Sequence, residues 1–260
     1  MTKLRNLLFL AISIPVLIIL IWLVAIPDDS IKTFIEDSIS DSGKSSIDAS
    51  IKGLKKGIFF TVYAENLKLS MDKTPALRIT DISSKINPLH LFKKQLAFTL
   101  KGKIGTGDVR GSFKLPGKGT LKIDRAEINA IPYLAYTALK GSGLISARLN
   151  LKDDLIDAVF EISDADIRGS AMGIPLPISS FRKIQGVLTL KENIINITSV
   201  NLEGDRGYAR LKGDITNGFM NLILELMPSA GELNSVESML ISRYLVSPGY
   251  YVIPIRGKFL

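Results

Sequence analysis

The residues that could perform chemistry are few in this chain of 260 residues. The chain has no cysteine, and its one histidine, His90, lies between Leu89 and Leu91. A thiolate nucleophile, a disulfide framework and a histidine-rich metal site are therefore excluded. His90 by itself is more typical of a surface or capping side chain than of a catalytic base. We expect a protein that is not an enzyme, with no catalytic residue and no cofactor.

An acidic cluster resembles a metal-binding motif without completing it. Glu161, Asp164 and Asp166 suggest a calcium site, because carboxylate oxygens are the ligands that Ca²⁺ prefers. The EF-hand pattern fails, however, at Arg168 and Pro175. We therefore expect these acids to be structural and the chain to have no metal site.

Two glycine-rich segments likewise begin nucleotide-binding motifs that they do not finish. Gly105-Thr106-Gly107 starts like a dinucleotide fingerprint, but its third glycine, Gly111, comes one place late. Gly117-Lys118-Gly119-Thr120 resembles part of a P-loop, but no hydroxyl residue directly follows the lysine. Both segments are more typical of tight turns between strands, and we predict hairpins there.

The elements that must position any site are strands, as a repeated spacing indicates. The order apolar, any, apolar, any, any, apolar, any, apolar occurs at 62–69, 121–128, 160–167 and 195–202, and more weakly over 77–84. Each half has the period of two that marks a strand with one buried face. The extra central residue requires a β-bulge, which bends and twists a strand. We predict a mainly β fold, with a long, curved, bulged antiparallel sheet and a few short helices.

The apolar face of these strands is the candidate site. If short helices plug the sheet, its side chains are core, which is the favoured interpretation. If the sheet stays open, they line a trough able to shield the acyl chains of phospholipid or another lipid. The candidate residues are Val62, Leu67, Leu69, Leu121, Ile123, Ile128, Phe160, Ile162, Ile167, Ile195, Ile197 and Leu202.

The chain also predicts a single membrane-spanning anchor. From Leu7 to Ile26, a run that includes Trp22, no residue is charged. About 20 residues in a helix cover the hydrocarbon core of a bilayer. Basic residues precede the run and two aspartates follow it, so the positive-inside rule leaves the N-terminus in the cytoplasm. A cleaved secretory signal is the less favoured alternative, since the run is long and ends without a small-residue cleavage site.

Four regions follow from this assignment. They are a cytoplasmic N-terminus (1–6), the transmembrane anchor (7–26), a short helix and connector (27–44) and one continuous β domain (45–260). The connector helix is expected to begin at Asp29 or Ser30 and to end at Gly43. Its apolar side is expected to pack on the sheet rather than on the membrane interface, and comprises Ile31, Phe34, Ile35 and Ile39.

The net charge of +8 is concentrated in one part of the chain. Residues 50–125 hold 16 Lys or Arg against 5 Asp or Glu, a balance of +11. An anionic membrane surface or an acidic partner would complement this excess, and a solvated strand face is the alternative. Nucleic acid is not expected, because aromatic stacking rows and a recognition helix are missing. The candidate basic surface comprises Lys52, Lys55, Lys56, Lys93, Lys94, Lys101 and Lys103.

The glycine-marked strand patterns resemble two bacterial families. The segments 184–190, 208–215 and 250–260 look like those of the protein N family of type II secretion systems. This resemblance implies a bacterial inner-membrane protein with a periplasmic β domain that serves as a structural or docking component and contacts other secretion-system subunits. The repeated strands also resemble AsmA-like proteins, which implies a periplasmic groove that binds or transfers lipid.

Overall fold

A single antiparallel sheet dominates the protein. The computed structural model describes residues 17–40, 47–71, 73–88, 90, 95–115, 117–133, 139–171, 174–176, 181–229, 231–233 and 235–258. Sixteen strands within these ranges join one open sheet. The prediction of a mainly β fold built on an antiparallel sheet is confirmed.

The strands follow one another as a meander. They are β1 (Ile47–Lys52), β2 (Lys55–Lys56), β3 (Thr61–Met71), β4 (Thr74–Asn87), β5 (Leu96–Ile104), β6 (Gly107–Leu115), β7 (Lys118–Glu127), β8 (Leu139–Lys152), β9 (Leu155–Ala171), β10 (Ile174–Leu176), β11 (Phe181–Lys191), β12 (Ile194–Gly204), β13 (Gly207–Thr216), β14 (Phe219–Pro228), β15 (Leu245–Ser247) and β16 (Tyr250–Lys258). From β3 to β14 each long strand pairs with the next; β16 then pairs with β14, and β1 and β15 form the two edges. β2 pairs with β3, and β10 with β9.

Two-residue turns set the register of several hairpins. Thr216 pairs with Phe219 across Asn217 and Gly218, whose φ angles are 50° and 76°. Positive φ at both positions is what a type I′ turn requires, and it fits the right-handed twist of the strands. Ile104 pairs with Gly107 in the same way, so the first glycine-rich segment is a hairpin turn as predicted. The second glycine-rich segment agrees with the prediction only at Gly117, which lies in the turn, since Lys118, Gly119 and Thr120 already belong to β7.

Four of the five repeated patterns contain the predicted bulge. In β4, β7 and β9 the bulge lies at Asp81, Arg125 and Asp164, which share φ angles of 51–53°. In each case two residues oppose one residue of the neighbouring strand, and the residue after the bulge turns inward. In β12, Thr198 and Ser199 lie opposite the single residue Lys212.

The first pattern, in β3, differs from the prediction. Its buried side changes between Ala64 and Leu67, but its pairing with β1 and β4 shows no register shift there. Glu65 of β3 lies at the same level as the bulge residue Asp81 of β4. The irregular residues of β3 and β4 therefore lie side by side. The alternation of inward side chains shifts by one residue in both strands, and the two strands stay paired in register.

The helices are short and lie mainly at the N-terminus. Residues 17–25 are helical and end in a π-helical turn at Ile21–Ala25, and α1 follows at Asp28–Ser40. Near the C-terminus, α2 spans Ser235–Ile241. Within the described ranges, we find no helix with the length and apolar character needed to cross a bilayer. Leu7 and the rest of 7–16 lie outside the described residues, as does Gly43.

Helix α1 packs on the sheet, as expected. Ile35 and Ile39 contact the core formed by β1 and β3 to β7, and Ile31 is buried beside Val62 of β3. Phe34 was also expected on this side, but its side chain is 52% exposed. The prediction for Phe34 is wrong because the packed stripe of α1 is narrow and excludes the residue that precedes Ile35.

Candidate functional site

The inner face of the sheet is the face that carries Ile123 and Phe160. One row of directly paired residues on this face crosses nine strands from β6 to β16. Every member of the row is apolar or glycine, and the row comprises Gly111, Leu121, Leu149, Ala158, Leu188, Ile197, Gly213, Leu222 and Ile255. With strands about 4.8 Å apart, the eight intervals give a continuous apolar band about 38 Å wide.

The N-terminal half of the inner face is a closed core. The candidate residues Val62, Leu67, Ile123 and Ile128 are buried there, and Leu69 and Leu121 are half-buried against them. Helix α1 covers this half, and so do Ala130 and Ile131, which follow β7. The favoured interpretation of the apolar face as core is therefore correct for these strands.

The middle of the inner face is also packed. Ile162 and Ile167 of β9 are buried with Ala165 and Ile184, and the half-buried Phe160 and Leu202 pack against them. Gly186 of β11 leaves the space that the ring of Phe160 fills, because a Cβ at Gly186 would clash with this ring. The packing thus continues from β8 to β12.

The C-terminal half is less covered. We define the open inner surface as Leu188, Ile195, Ile197, Leu211, Leu224 and Ile253. Each of these inward residues is only partly buried, whereas their inward neighbours Ala209, Ile215 and Leu222 are buried. Met239 and Leu240 of helix α2 are 79% and 63% exposed, so these two side chains do not cover the open inner surface. The sequence listed Ile195 and Ile197 as candidates but did not separate them from the core residues.

The N-terminal helical segment is joined to the sheet by specific contacts that sequence reasoning missed. Trp22 donates its indole N–H to the carbonyl oxygen of Gly57 at 3.0 Å, and its ring lies 5.1 Å from that of Phe60. Trp22 is only 7% exposed and packs beside Val62 and Ile86. Trp22 was predicted to anchor the chain in lipid, but in the structure it packs against protein. No sequence signal links residues that are 35 positions apart.

Lys56 completes this junction. Its ammonium group donates to the carbonyl oxygens of Trp22 (3.1 Å), Leu23 (3.0 Å) and Ile26, and lies 3.7 Å from the carboxylate of Asp28. These carbonyls end the helical segment, where a cation is favoured by the helix dipole. The prediction that Lys56 belongs to an exposed basic surface is therefore wrong.

The other predicted basic residues remain available to solvent where the structure describes them. Lys52, Lys55, Lys101 and Lys103 are exposed. Lys93 and Lys94 lie outside the described residues. The predicted basic residues therefore do not form one surface. Lys56 is bound to the N-terminal helical segment. β1 and β2, which carry Lys52 and Lys55, pair with β3, and β4 separates them from β5, which carries Lys101 and Lys103.

The remaining polar candidates form no catalytic arrangement in the described part of the chain. The Nδ1 atom of His90 is buried without a hydrogen-bond partner. No group of three His, Cys, Asp or Glu side chains within the described ranges could hold a metal ion. A recess of 360 Å³ beside the β7 bulge is lined by Thr106, Gly107, Asp108, Asp124, Arg125 and Leu144.

Comparison with known proteins gives no relative for this chain. No protein-family model, no curated protein and no solved structure matches it. The resemblance to secretion-system protein N and to AsmA-like proteins therefore stays a prediction.

Proposed function

We propose that the protein binds the acyl chains of phospholipid, or of another lipid, on the open inner surface. The observation that carries this proposal is the apolar band across nine strands, of which only the N-terminal part is covered by α1. Partly exposed Leu and Ile side chains are stabilised when an apolar ligand removes them from water. A contiguous apolar patch of this kind marks a binding surface in a soluble domain.

The bulges support a trough rather than a flat layer. A bulge increases the local twist and bends the strand that contains it. Bulges in β4, β7, β9 and β12 are spread across the width of the sheet, so their bends add up. A sheet curved in this way would enclose a lipid tail from two sides.

The proposal includes a location at a membrane. The part of the uncharged run Leu7–Ile26 that precedes the junction at Trp22 would hold the chain in a bacterial inner membrane by a single pass, with residues 1–6 in the cytoplasm and the β domain in the periplasm. An anchored trough would receive lipid from the bilayer beside it. The protein would then act as a lipid-binding or lipid-transfer component and not as an enzyme.

Two neighbouring substitutions in β14 test the proposal. Leu224 faces inward and pairs with Leu211 and Ile253, whereas Ile223 faces outward and is 38% exposed. The full chain and the Leu224→Asp and Ile223→Asp variants would be extracted in a mild detergent and analysed by native mass spectrometry. We expect stoichiometric phospholipid with the wild type and with Ile223→Asp, and loss of lipid with Leu224→Asp at an unchanged melting temperature.

Two outcomes would contradict lipid binding on the inner face. One is wild-type chain that carries no lipid after extraction. The other is equal lipid content in both variants, which would place the lipid elsewhere on the molecule. A Leu224→Asp variant that unfolds would show that this half is core, and Ile195→Asn, a milder change at another open position, would then be compared with Ile194→Asn on the outer side.

The edges of the sheet favour a second candidate function, a structural or docking component of type II secretion. β15 pairs on one side only, so its other side can pair with a strand of a partner. β1 is the other edge, but its Ile51 N–H already donates to the carboxylate of Glu36 in α1. Leu245 and Val246 of β15 are exposed apolar residues at such an edge. Other secretion-system subunits are the partners that this function requires.

Copurification tests the docking function. The full chain would be isolated with the subunits of a type II secretion system, before and after Val246→Pro, which removes a backbone donor from the edge strand. We expect defined subunits to copurify with the wild type and to be lost with the variant, while Val246→Thr retains them. Absence of every secretion subunit from the wild-type preparation would contradict this function.

A further inference from the structure

The outer face of β5 to β8, opposite the closed core, carries an unusual arrangement of like charges. Lys101, Arg110, Lys122 and Arg148 are directly paired from strand to strand, so four cations stand in one row. Four positions further along the strands, a second row is formed by Lys114, Lys118 and Lys152. We call these seven residues the outer cationic face.

Little within the described chain neutralises these charges. The one ion pair that any of the seven makes among the described residues joins Lys122 and Asp124 at 3.4 Å, between two exposed side chains. Asp157 and Glu161 of the next strand, β9, accept hydrogen bonds from Thr189 and Gln185 on their far side. Asp108 and Asp124, which pair with each other on this face two positions from Arg110 and Lys122, offset part of the first row. The directly paired partners of the second row include no acid.

Directly opposed like charges lower the stability of a sheet. Seven of them on three hairpin-connected strand pairs are therefore a cost to folding that an external anion would remove. Between the two rows lie Ser112, Thr120 and Asn150, which are neutral side chains able to donate hydrogen bonds to phosphate oxygens. The face is thus equipped for several phosphate groups side by side.

We propose that the outer cationic face binds an anionic phospholipid bilayer. The cations form a two-dimensional array, about 14 Å across four strands and about 13 Å along them, which matches a layer of headgroups better than one extended acidic peptide. Val159 and Val187, both exposed, continue the first row on β9 and β11 and offer apolar contact at its end. Clusters of four to eight Lys or Arg are typical of such lipid-binding surfaces.

This surface is separate from the open inner surface, because the two lie on opposite faces and on different strands. An acidic protein segment is the competing partner. It would bind the same cations without requiring a flat array or the adjoining valines. The two partners are distinguished by the test below.

The test uses the full chain in nanodiscs of neutral phosphatidylcholine, passed over immobilised vesicles. The vesicles contain phosphatidylcholine alone or with phosphatidylglycerol, and binding is measured by surface plasmon resonance against empty discs. We expect binding only to the vesicles with phosphatidylglycerol, and we expect salt to weaken it. Should the chain prove soluble without lipid, it would be injected alone, so that the result does not depend on the proposed anchor.

Matched variants locate the binding. The patch variant carries Arg110→Gln, Lys122→Gln and Arg148→Gln, and the control variant carries Arg182→Gln, Lys191→Gln and Arg256→Gln, which removes the same charge from exposed sites elsewhere. Each cation near an anionic bilayer contributes about fivefold to binding. The patch variant should therefore lose up to roughly two orders of magnitude in affinity, with the control variant retaining most of it.

Two results would overturn the proposal. Equal losses in the two variants would mean that net charge alone acts, and that the outer cationic face is not a site. Binding of soluble polyglutamate by the wild type but not by the patch variant, without binding to phosphatidylglycerol vesicles, would assign the face to an acidic protein. Melting temperatures of both variants at or above that of the wild type would confirm that folding is intact.

Discussion

The indole N–H of Trp22 and the carbonyl oxygen of Gly57 lie 3.0 Å apart, and this hydrogen bond joins the N-terminal helical segment to the turn before β3. Lys56, next to Gly57, caps the same segment by donating to its last carbonyl groups. The N-terminal helical segment is therefore held against the sheet at a fixed point. A proposed membrane anchor that continues from this segment would hold the sheet at the bilayer in one defined position.

Loss of the Trp22 side chain should weaken this junction. Trp22→Ala removes the ring contacts with Phe60, Val62 and Ile86 as well as the hydrogen bond. We expect a loss of about 3–5 kcal/mol in the free energy of unfolding, measured by urea denaturation in detergent. Val24→Ala, at an exposed position of the same segment, is the control and should cost little. Equal losses would argue against a specific Trp22 contact.

A charge in the closed half should unfold the protein. Ile123 is buried between Val109 and Ala147, where a carboxylate would have no partner. Burial of an unpaired polar group adds to the lost apolar contacts, and we expect Ile123→Asp to cost more than about 4 kcal/mol. Limited proteolysis and near-ultraviolet circular dichroism would report the loss. Thr120→Asp, on the outer side of the same strand, should stay folded, and similar behaviour of the two variants would contradict a closed core.

The β7 bulge should make Gly107 irreplaceable. A Cβ at Gly107 would collide with the backbone of Ala126, the residue that the bulge turns inward. The backbone cannot shift without breaking hydrogen bonds between the paired strands. We therefore expect Gly107→Ala to lower the free energy of unfolding by about 1–3 kcal/mol. Gly111→Ala, four residues further along β6, meets only side-chain atoms, those of Phe113 and Leu121, which can give way, and should cost less. The urea midpoints of the two variants would measure this difference. A lower midpoint for Gly111→Ala than for Gly107→Ala would argue against the bulge.

The ion pair between Arg206 and Glu237 should hold α2 in place. Nη2 of Arg206 lies 2.6 Å from Oε2 of Glu237, and this hydrogen bond raises the pKa of the guanidinium above its ordinary value. Because the folded-state pKa is raised, the contribution is complete at neutral pH and is lost only as the pH rises above the ordinary guanidinium value.

Glu237→Gln should therefore weaken the attachment of α2 at neutral pH. Both side chains are partly exposed, so we expect a loss of about 1 kcal/mol or less and faster hydrogen exchange over 235–241. Asp205→Asn, which removes a carboxylate from the turn that contains Arg206, should leave the hydrogen exchange of α2 unchanged. Identical exchange in Glu237→Gln and the wild type would show that other contacts position the helix.

Local patterns were sufficient to predict most of the sheet. Alternation with one extra residue predicted the bulges at Asp81, Arg125 and Asp164, since a bulge lets a strand with a single buried face absorb an odd residue. Asn217-Gly218 predicted its turn because both residues tolerate positive φ. The exception was β3, whose phase change is matched by its neighbour β4, and a match between strands is invisible in one segment.

Which apolar residues are core and which are open could not be predicted. Ile123 and Ile197 occupy the same position in two copies of one pattern, yet Ile123 is buried and Ile197 is only partly buried. The difference arises because α1, which is distant in sequence from both, covers only the N-terminal strands. Burial depends on what packs over a face, and periodicity reports only that a face exists.

The amino-acid sequence by itself determined the strand class, the turns and the places where strands bend, because these follow from the stereochemistry of neighbouring residues. Only the tertiary structure decided that Trp22 and Lys56 meet at the first turn and that Arg110, Lys122 and Arg148 stand in one row. Such relationships depend on the register between separate strands, which is fixed by pairing and packing of the whole sheet.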